Sequence, residues 1–130
     1  MKIVASQSGD FARDKGRQVA ESLLQAHPEA NIVYAHNDEM AIGAIAAIEA
    51  AGKKPGKDII VVSIDGEKDA LQMIIDGKML FSVECNPKFG PKAFETAAAY
   101  AKGDKIEPKT TNVDRFYDMS NAAASMADSY

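Results

Sequence analysis

The chain has 130 residues, 46% hydrophobic and 26% charged, with a formal net charge of −4. That length suits one domain with a core that needs no metal or disulfide to hold it, and the lone Cys85 cannot form an internal bridge. The charges are mixed along the chain, so no basic stripe exists to neutralise nucleic-acid phosphates. No apolar run approaches the roughly 18 residues of a membrane span, and Met1-Lys2 leads into Ile3-Val4-Ala5 with no apolar signal segment before it.

Strands and helices alternate in the pattern. Lys2–Ser6 reads as a first strand, broken by Ser8-Gly9-Asp10. A helix is expected over 12–26, with Asp10 as a candidate N-cap and His27-Pro28 as its end. Asn31–His36 forms the next strand, followed by an alanine-rich helix over 39–51 that Asp38 can cap and Gly52 stops. Asp58–Ile64 is continuously apolar through Ile59-Ile60-Val61-Val62, as in a parallel strand covered on both faces. A helix over 68–76, a strand over 79–83, a helix over 91–102 opened by Gly90-Pro91, and a last strand over 112–117 complete the order. A weak helix is expected in the tail from Ser120. Alternation of this kind predicts right-handed βαβ units in a single α/β domain with a mostly parallel sheet between helical layers.

Open parallel sheets bind ligands beyond the carboxyl ends of their strands. Those ends read Ser6-Gln7-Ser8-Gly9-Asp10-Phe11, His36-Asn37-Asp38-Glu39, Asp65-Gly66-Glu67 and Glu84-Cys85-Asn86-Pro87. The amide of Asn37 can give and receive a hydrogen bond, as a hydroxyl ligand requires; turn or cap chemistry is its ordinary alternative. Asp65 could accept from two adjacent hydroxyls or cap the helix near Lys68. The ring of Phe11 could stack on a sugar face or staple a helix start. Glu84 interrupts Phe81-Ser82-Val83, either on an exposed face or in the site. Cys85 is by default a small buried side chain, and His36 a satisfied structural histidine.

Signatures of catalysis are missing. Neither a glycine-rich phosphate loop nor a G-x-S-x-G elbow is present. Two histidines and one cysteine have no zinc-ligand spacing. No cofactor or metal is expected, and the chain reads as a binding domain rather than an enzyme. A small enzyme or a phosphoaspartate receiver working through Asp65 is the alternative of another class, although Ser6-Gln7-Ser8 lacks the acidic cluster a receiver wants.

The segments Ser6–Phe11 with Arg13 and Lys15-Gly16, then Ala35–Ala44, resemble the C-terminal lobe of periplasmic sugar-binding proteins of the ribose/galactose type. Ala51–Ile59, Ser63–Gly66, and Ser82–Glu84 with Pro87 and Gly90-Pro91 are most similar to the galactofuranose-binding branch. The resemblance implies a monosaccharide receptor for an ABC-transporter permease, periplasmic or lipid-anchored outside the cell when intact. It places Phe11 on the sugar ring, Asn37 and Asp65 on hydroxyls, and Cys85 at a polar hinge position that neighbouring Glu84 could replace. It also implies an incomplete lobe. The N-terminal lobe is missing, a central strand between 2–6 and 31–36 is missing, and the helix at 91–102 has lost its usual sheet. Exposed sheet strands should then pair with a second copy of the chain, unless the first strand pairs directly with the second. The effector-binding portion of a LacI-type sugar-responsive transcription regulator shares the fold and is the alternative within it.

Overall fold

The structure is a computed structural model and describes residues 2–130. Four strands form one sheet in the order β1-β2-β3-β4: β1 (Ile32–Tyr34), β2 (Ile60–Asp65), β3 (Phe81–Glu84) and β4 (Phe116–Asp118). β1 and β3 run parallel to β2, and β4 runs antiparallel to β3. With helices α1 (Arg13–Ala26), α2 (Asp38–Ala50), α3 (Lys68–Ile75), α4 (Gly90–Ala101) and α5 (Ala122–Ser125), this is the mostly parallel α/β lobe that the alternation predicts.

Residue alternation sets the two faces of the sheet. Val61, Ser63, Ser82, Glu84 and Tyr117 are buried beneath a core that includes Ile45 and Ile48 of α2 and Leu71 and Ile74 of α3. The residues between them are open to different degrees. Ile60, Val62, Ile64 and Phe81 are half-buried, while Ile32, Tyr34, Val83 and Phe116 are exposed. The run through β2 is therefore apolar on both sides but fully covered on one. Ring contact between Phe81 and Phe116 (centroids 4.9 Å apart) gives that open face some packing of its own.

α1 and α2 meet through glycine. A Cβ on Gly16 would strike the backbone of Met40, and one on Gly43 the backbone of Arg13, so both positions exclude any larger residue. The contact is reinforced by Arg13, which donates to Glu39 (2.9 and 2.6 Å) and reaches onward to Asp69 at the start of α3 (2.9 Å). Those two carboxylates raise the pKa of the guanidinium. α4 begins at Gly90-Pro91 as expected but has no buried residue; Phe94 and Tyr100 stand in solvent.

Three expectations are corrected. Lys2–Ser6 joins no ladder, so the first strand pairs neither with β1 nor with any other described residue. Local apolar pattern makes a strand only when a neighbour takes its hydrogen bonds. The last strand is short and begins at Phe116 rather than Asn112: Phe116–Asp118 pairs with β3, Arg115 O accepts one bond from Glu84 N (2.8 Å), and residues 112–114 join no ladder. Asp10 does not cap α1: Ala12 is the N-cap residue, and the Asp10 carboxylate accepts from Ser8 Oγ instead (2.8 Å).

Candidate functional site

The strand ends come together in one line. At its start Asp10 and Phe11 take left-handed backbone (φ 53° and 55°), which turns the Phe11 ring outward; it is 68% exposed. Nothing in the core needs this ring, so the turn presents it to solvent at a strain cost. Asn37 Nδ2 lies 3.4 Å from Phe11 O, tying the first end to the second.

Asn37, and not Asp38, caps α2, so the cap alternative weighed for Asn37 holds and the cap expected of Asp38 does not. Asn37 is the N-cap of α2, accepting from Met40 N through Oδ1 (3.0 Å). Its Nδ2 carries a second hydrogen that no described residue accepts. Asp38 does not cap. It is fully buried, and it accepts from Ser63 Oγ, from Ser82 Oγ (2.8 Å), from Gly66 N (2.7 Å) and from Glu67 N (2.8 Å). Burial pushes its pKa up, and these four bonds oppose the rise. Asp38 thus braces the ends of β2 and β3 from inside the sheet.

Asp65 sits on the loop that Asp38 braces. Its φ is 131°, it is half-buried, and its carboxylate has a backbone hydrogen bond from Asp38. The capping alternative fails, because α3 is preceded by Glu67 and has no side-chain cap. Burial and the nearby charge of Asp38 raise the Asp65 pKa, and burial with Asp38 and Glu39 does the same for Glu67. The backbone hydrogen bond from Asp38 opposes the rise at Asp65 without cancelling it. Gly66 follows at φ 83°, where a Cβ would collide with the Tyr117 ring.

Cys85 N donates to Asp65 O (2.9 Å), which brings the fourth end alongside the third; the thiol is free and exposed. Glu84 points the other way. It is 4% exposed and accepts from Tyr117 OH (2.9 Å), Arg115 N (2.9 Å), Arg115 Nε (3.3 Å) and Asn86 Nδ2 (3.2 Å). Burial pushes its pKa up, but hydrogen bonds from Arg115 and Tyr117 outweigh this and leave it lowered. Burial and the bond to Glu84 push the Tyr117 phenol up to about 12. His36 is exposed and leans on the Tyr34 ring (centroids 5.0 Å apart).

Phe11, Asn37, Asp65 and Cys85 thus share one edge, offering a ring, an N–H donor and a carboxylate acceptor, while Glu84 is consumed by a neighbouring ion pair. Sequence reasoning missed Asp38 as the brace and Arg115 as the partner of Glu84. The available signal was Ser63 and Ser82, two hydroxyls interrupting apolar strands, which pair side by side in the ladder. An open concavity of about 580 Å³ lies at the opposite strand ends among Glu49, Lys53, Lys54, Lys57 and Lys78, away from this edge.

A mostly parallel α/β lobe with its strand-end loops along one edge is the architecture in which ligands bind beyond the strand ends. The chain belongs to the periplasmic binding protein domain family, whose model matches residues 1–105. It is similar to the galactofuranose-binding protein YtfQ of Escherichia coli, 46% identical over 114 residues. That match takes in 85% of this chain and 36% of YtfQ. It is also 45% identical over 108 residues to the ribose import binding protein RbsB of Bacillus subtilis, covering 82% of this chain and 34% of that protein. Among solved structures, one from Mycobacterium smegmatis in complex with β-D-fucofuranose superposes with a TM-score of 0.92 at 44% identity. It covers 98% of this chain and 42% of the other. A galactofuranose binding protein matches equally well, with a TM-score of 0.92 at 42% identity, over 98% of this chain and 44% of that one. The chain therefore spans well under half the length of the relatives it matches.

Proposed function

We propose that this chain is one sugar-contacting lobe of a substrate-binding protein that serves an ABC importer for a monosaccharide of the galactofuranose or ribose kind. The observation that carries the reading is the shared edge of Phe11, Asn37 and Asp65. The ring takes the apolar face of a sugar, the spare Asn37 N–H donates to one hydroxyl, and the Asp65 carboxylate, which has further lone pairs beyond the one that Asp38 N–H uses, accepts from its neighbours. The role in this reading is recognition and not turnover, as the binding-protein names of the relatives support. Cys85 borders the ligand through its backbone, and Glu84 acts as a support behind the edge. In the intact system the lobe works in the periplasm or anchored outside the cell, a second lobe closes over the sugar, and a permease receives it. The greater length of the matched relatives supports that arrangement.

One lobe makes about half the contacts of a closed cleft, so this chain by itself should bind only in the millimolar range or more weakly. Amide NMR titrations with galactofuranose, ribose and galactose test the reading. Shifts should concentrate at Phe11, Asn37, Asp65 and Cys85 and disappear in Asp65→Asn. A silent edge at saturating sugar sinks the assignment, and a sub-micromolar dissociation constant sinks the half-site argument.

A further inference from the structure

The backbone conformation of Asp65 needs an explanation, since φ of 131° is costly for a non-glycine residue and survives only where its surroundings enforce it. The two peptide groups that follow Asp65 are gripped from both sides. From inside, Asp38 holds Gly66 N and Glu67 N (2.7 and 2.8 Å), and Ser82 Oγ adds a third contact at Gly66 N (3.1 Å). From outside, the grip comes from residues far away in sequence. Tyr130 OH lies 2.9 Å from Asp65 O and 3.1 Å from Cys85 O, so its single proton serves two carbonyls that end adjacent strands. Ser129 Oγ donates to Gly66 O (2.6 Å), and Lys68 N donates to Tyr130 O (2.9 Å). Lys88 Nζ in turn donates to Asp128 O (2.8 Å), holding this segment against the loop after β3. Ser129 is 3% exposed, so its hydroxyl has no competing water.

We propose that Ser129 and Tyr130 are positioning residues of the ligand site: they clasp the loops after β2 and β3 and fix the backbone that aims the Asp65 carboxylate. The inference rests on Asp65 being a ligand contact, and it adds the device that sets the carboxylate's direction and its separation from Cys85. Neither residue needs to touch the ligand. The Tyr130 hydroxyl does its work because it joins two strand ends whose own ladder terminates there. Burial, followed by the nearby charges of Asp65, Glu67 and Asp38, pushes the pKa of this phenol up and favours the protonated, donating form.

The test uses NMR of the full chain as wild type, Tyr130→Phe, Ser129→Ala and the double variant. Tyr130→Phe removes one oxygen and keeps the ring, so folding is spared. The three-bond amide–Hα coupling of Asp65 is small at its native φ and large in ordinary extended backbone. It should rise in Tyr130→Phe and rise further in the double variant. Exchange of the Cys85 amide should quicken about tenfold, the worth of one hydrogen bond, while the Ala20 and Ala44 amides between α1 and α2 keep their rates. An unchanged Asp65 coupling in the double variant overturns the proposal. Equal acceleration at Ala20 and Ala44 also overturns it, since the clasp would then support the whole fold and not the site. Sugar titration of Asp65→Asn is judged separately: no effect there would remove the binding reading and leave the coupling result standing.

Discussion

Replacing Asp38 separates a structural brace from a simple buried charge. In Asp38→Ala four donors lose their acceptor, but not equally. Gly66 N keeps Ser82 Oγ at 3.1 Å, and Ser63 Oγ keeps a weak contact with Met79 Sδ at 3.2 Å. Glu67 N has no second partner among the described residues, and an orphaned donor of this kind costs about 1–3 kcal/mol. Two weakened hydroxyls and the space left by a fully buried side chain add to that, while the lost burden of a buried carboxylate subtracts. The sum is a loss of about 2–4 kcal/mol, a large share of the stability of a domain this size. Asp38→Asn keeps the shape. Its Oδ1 can accept from Gly66 N and Glu67 N, and its Nδ2 can donate to Ser63 and Ser82, so it should cost under about 1 kcal/mol. Urea unfolding followed by circular dichroism measures both variants. pH adds a sign. The folded pKa of Asp38 lies above its usual value, so the native state binds the proton more tightly than the unfolded chain does. This carboxyl therefore makes stability fall as pH rises from the ordinary carboxylate range through the folded value. Asp38→Asn removes that part of the decline. An alanine cost below 1 kcal/mol, or an asparagine cost as large as the alanine cost, would refute the brace.

Other outcomes are expected from the same structure. Phe11→Ala should leave stability within about 0.5 kcal/mol, because the ring is 68% exposed, yet should weaken the sugar response at Asn37 and Asp65 in NMR titration; an unaltered response would take the ring out of the site. Glu84→Gln should cost about 1–2 kcal/mol at pH 7, measured by urea unfolding, since Arg115 and Tyr117 lose a charged acceptor. The folded pKa of Glu84 is lowered, so its contribution is present above the usual glutamate range and lost as pH falls through the folded value. The gap between wild type and Glu84→Gln should accordingly close in acid, and a gap that widens there would contradict the assignment. The outer edge of β1 pairs with no described strand, and Ile32 and Tyr34 beside it are exposed. A second copy of the chain should occupy this edge at high concentration. Light scattering that reports only monomer at millimolar protein would reject this.

The parts of the fold legible in the sequence are those decided locally. Helices α1 to α4 and strands β1 to β3 fall within a few residues of their expected positions, because periodicity, Gly52, Gly77 and Pro91 mark them without help from distant residues. What failed depended on partners. Lys2–Ser6 has the pattern of a strand and lacks a neighbour; the strand expected from Asn112 meets β3 only from Arg115 onward. The site shows the same division. Phe11, Asn37 and Asp65 were visible as polar or aromatic groups at strand ends, and the structure places them on one edge. The neighbouring pair Asn37-Asp38 could not be apportioned from sequence, since both residues suit a helix N-terminus equally well. The decision was made by Ser63 and Ser82, which arrive from two other strands at the same level and need one common acceptor. Only the residue at position 38 points into the sheet to meet them, so Asn37 is left to cap. In the proposed site the capping amide offers its remaining N–H to a ligand, and Asp65 offers the complementary acceptor. The chemistry of this edge is therefore set by two serines that never reach it.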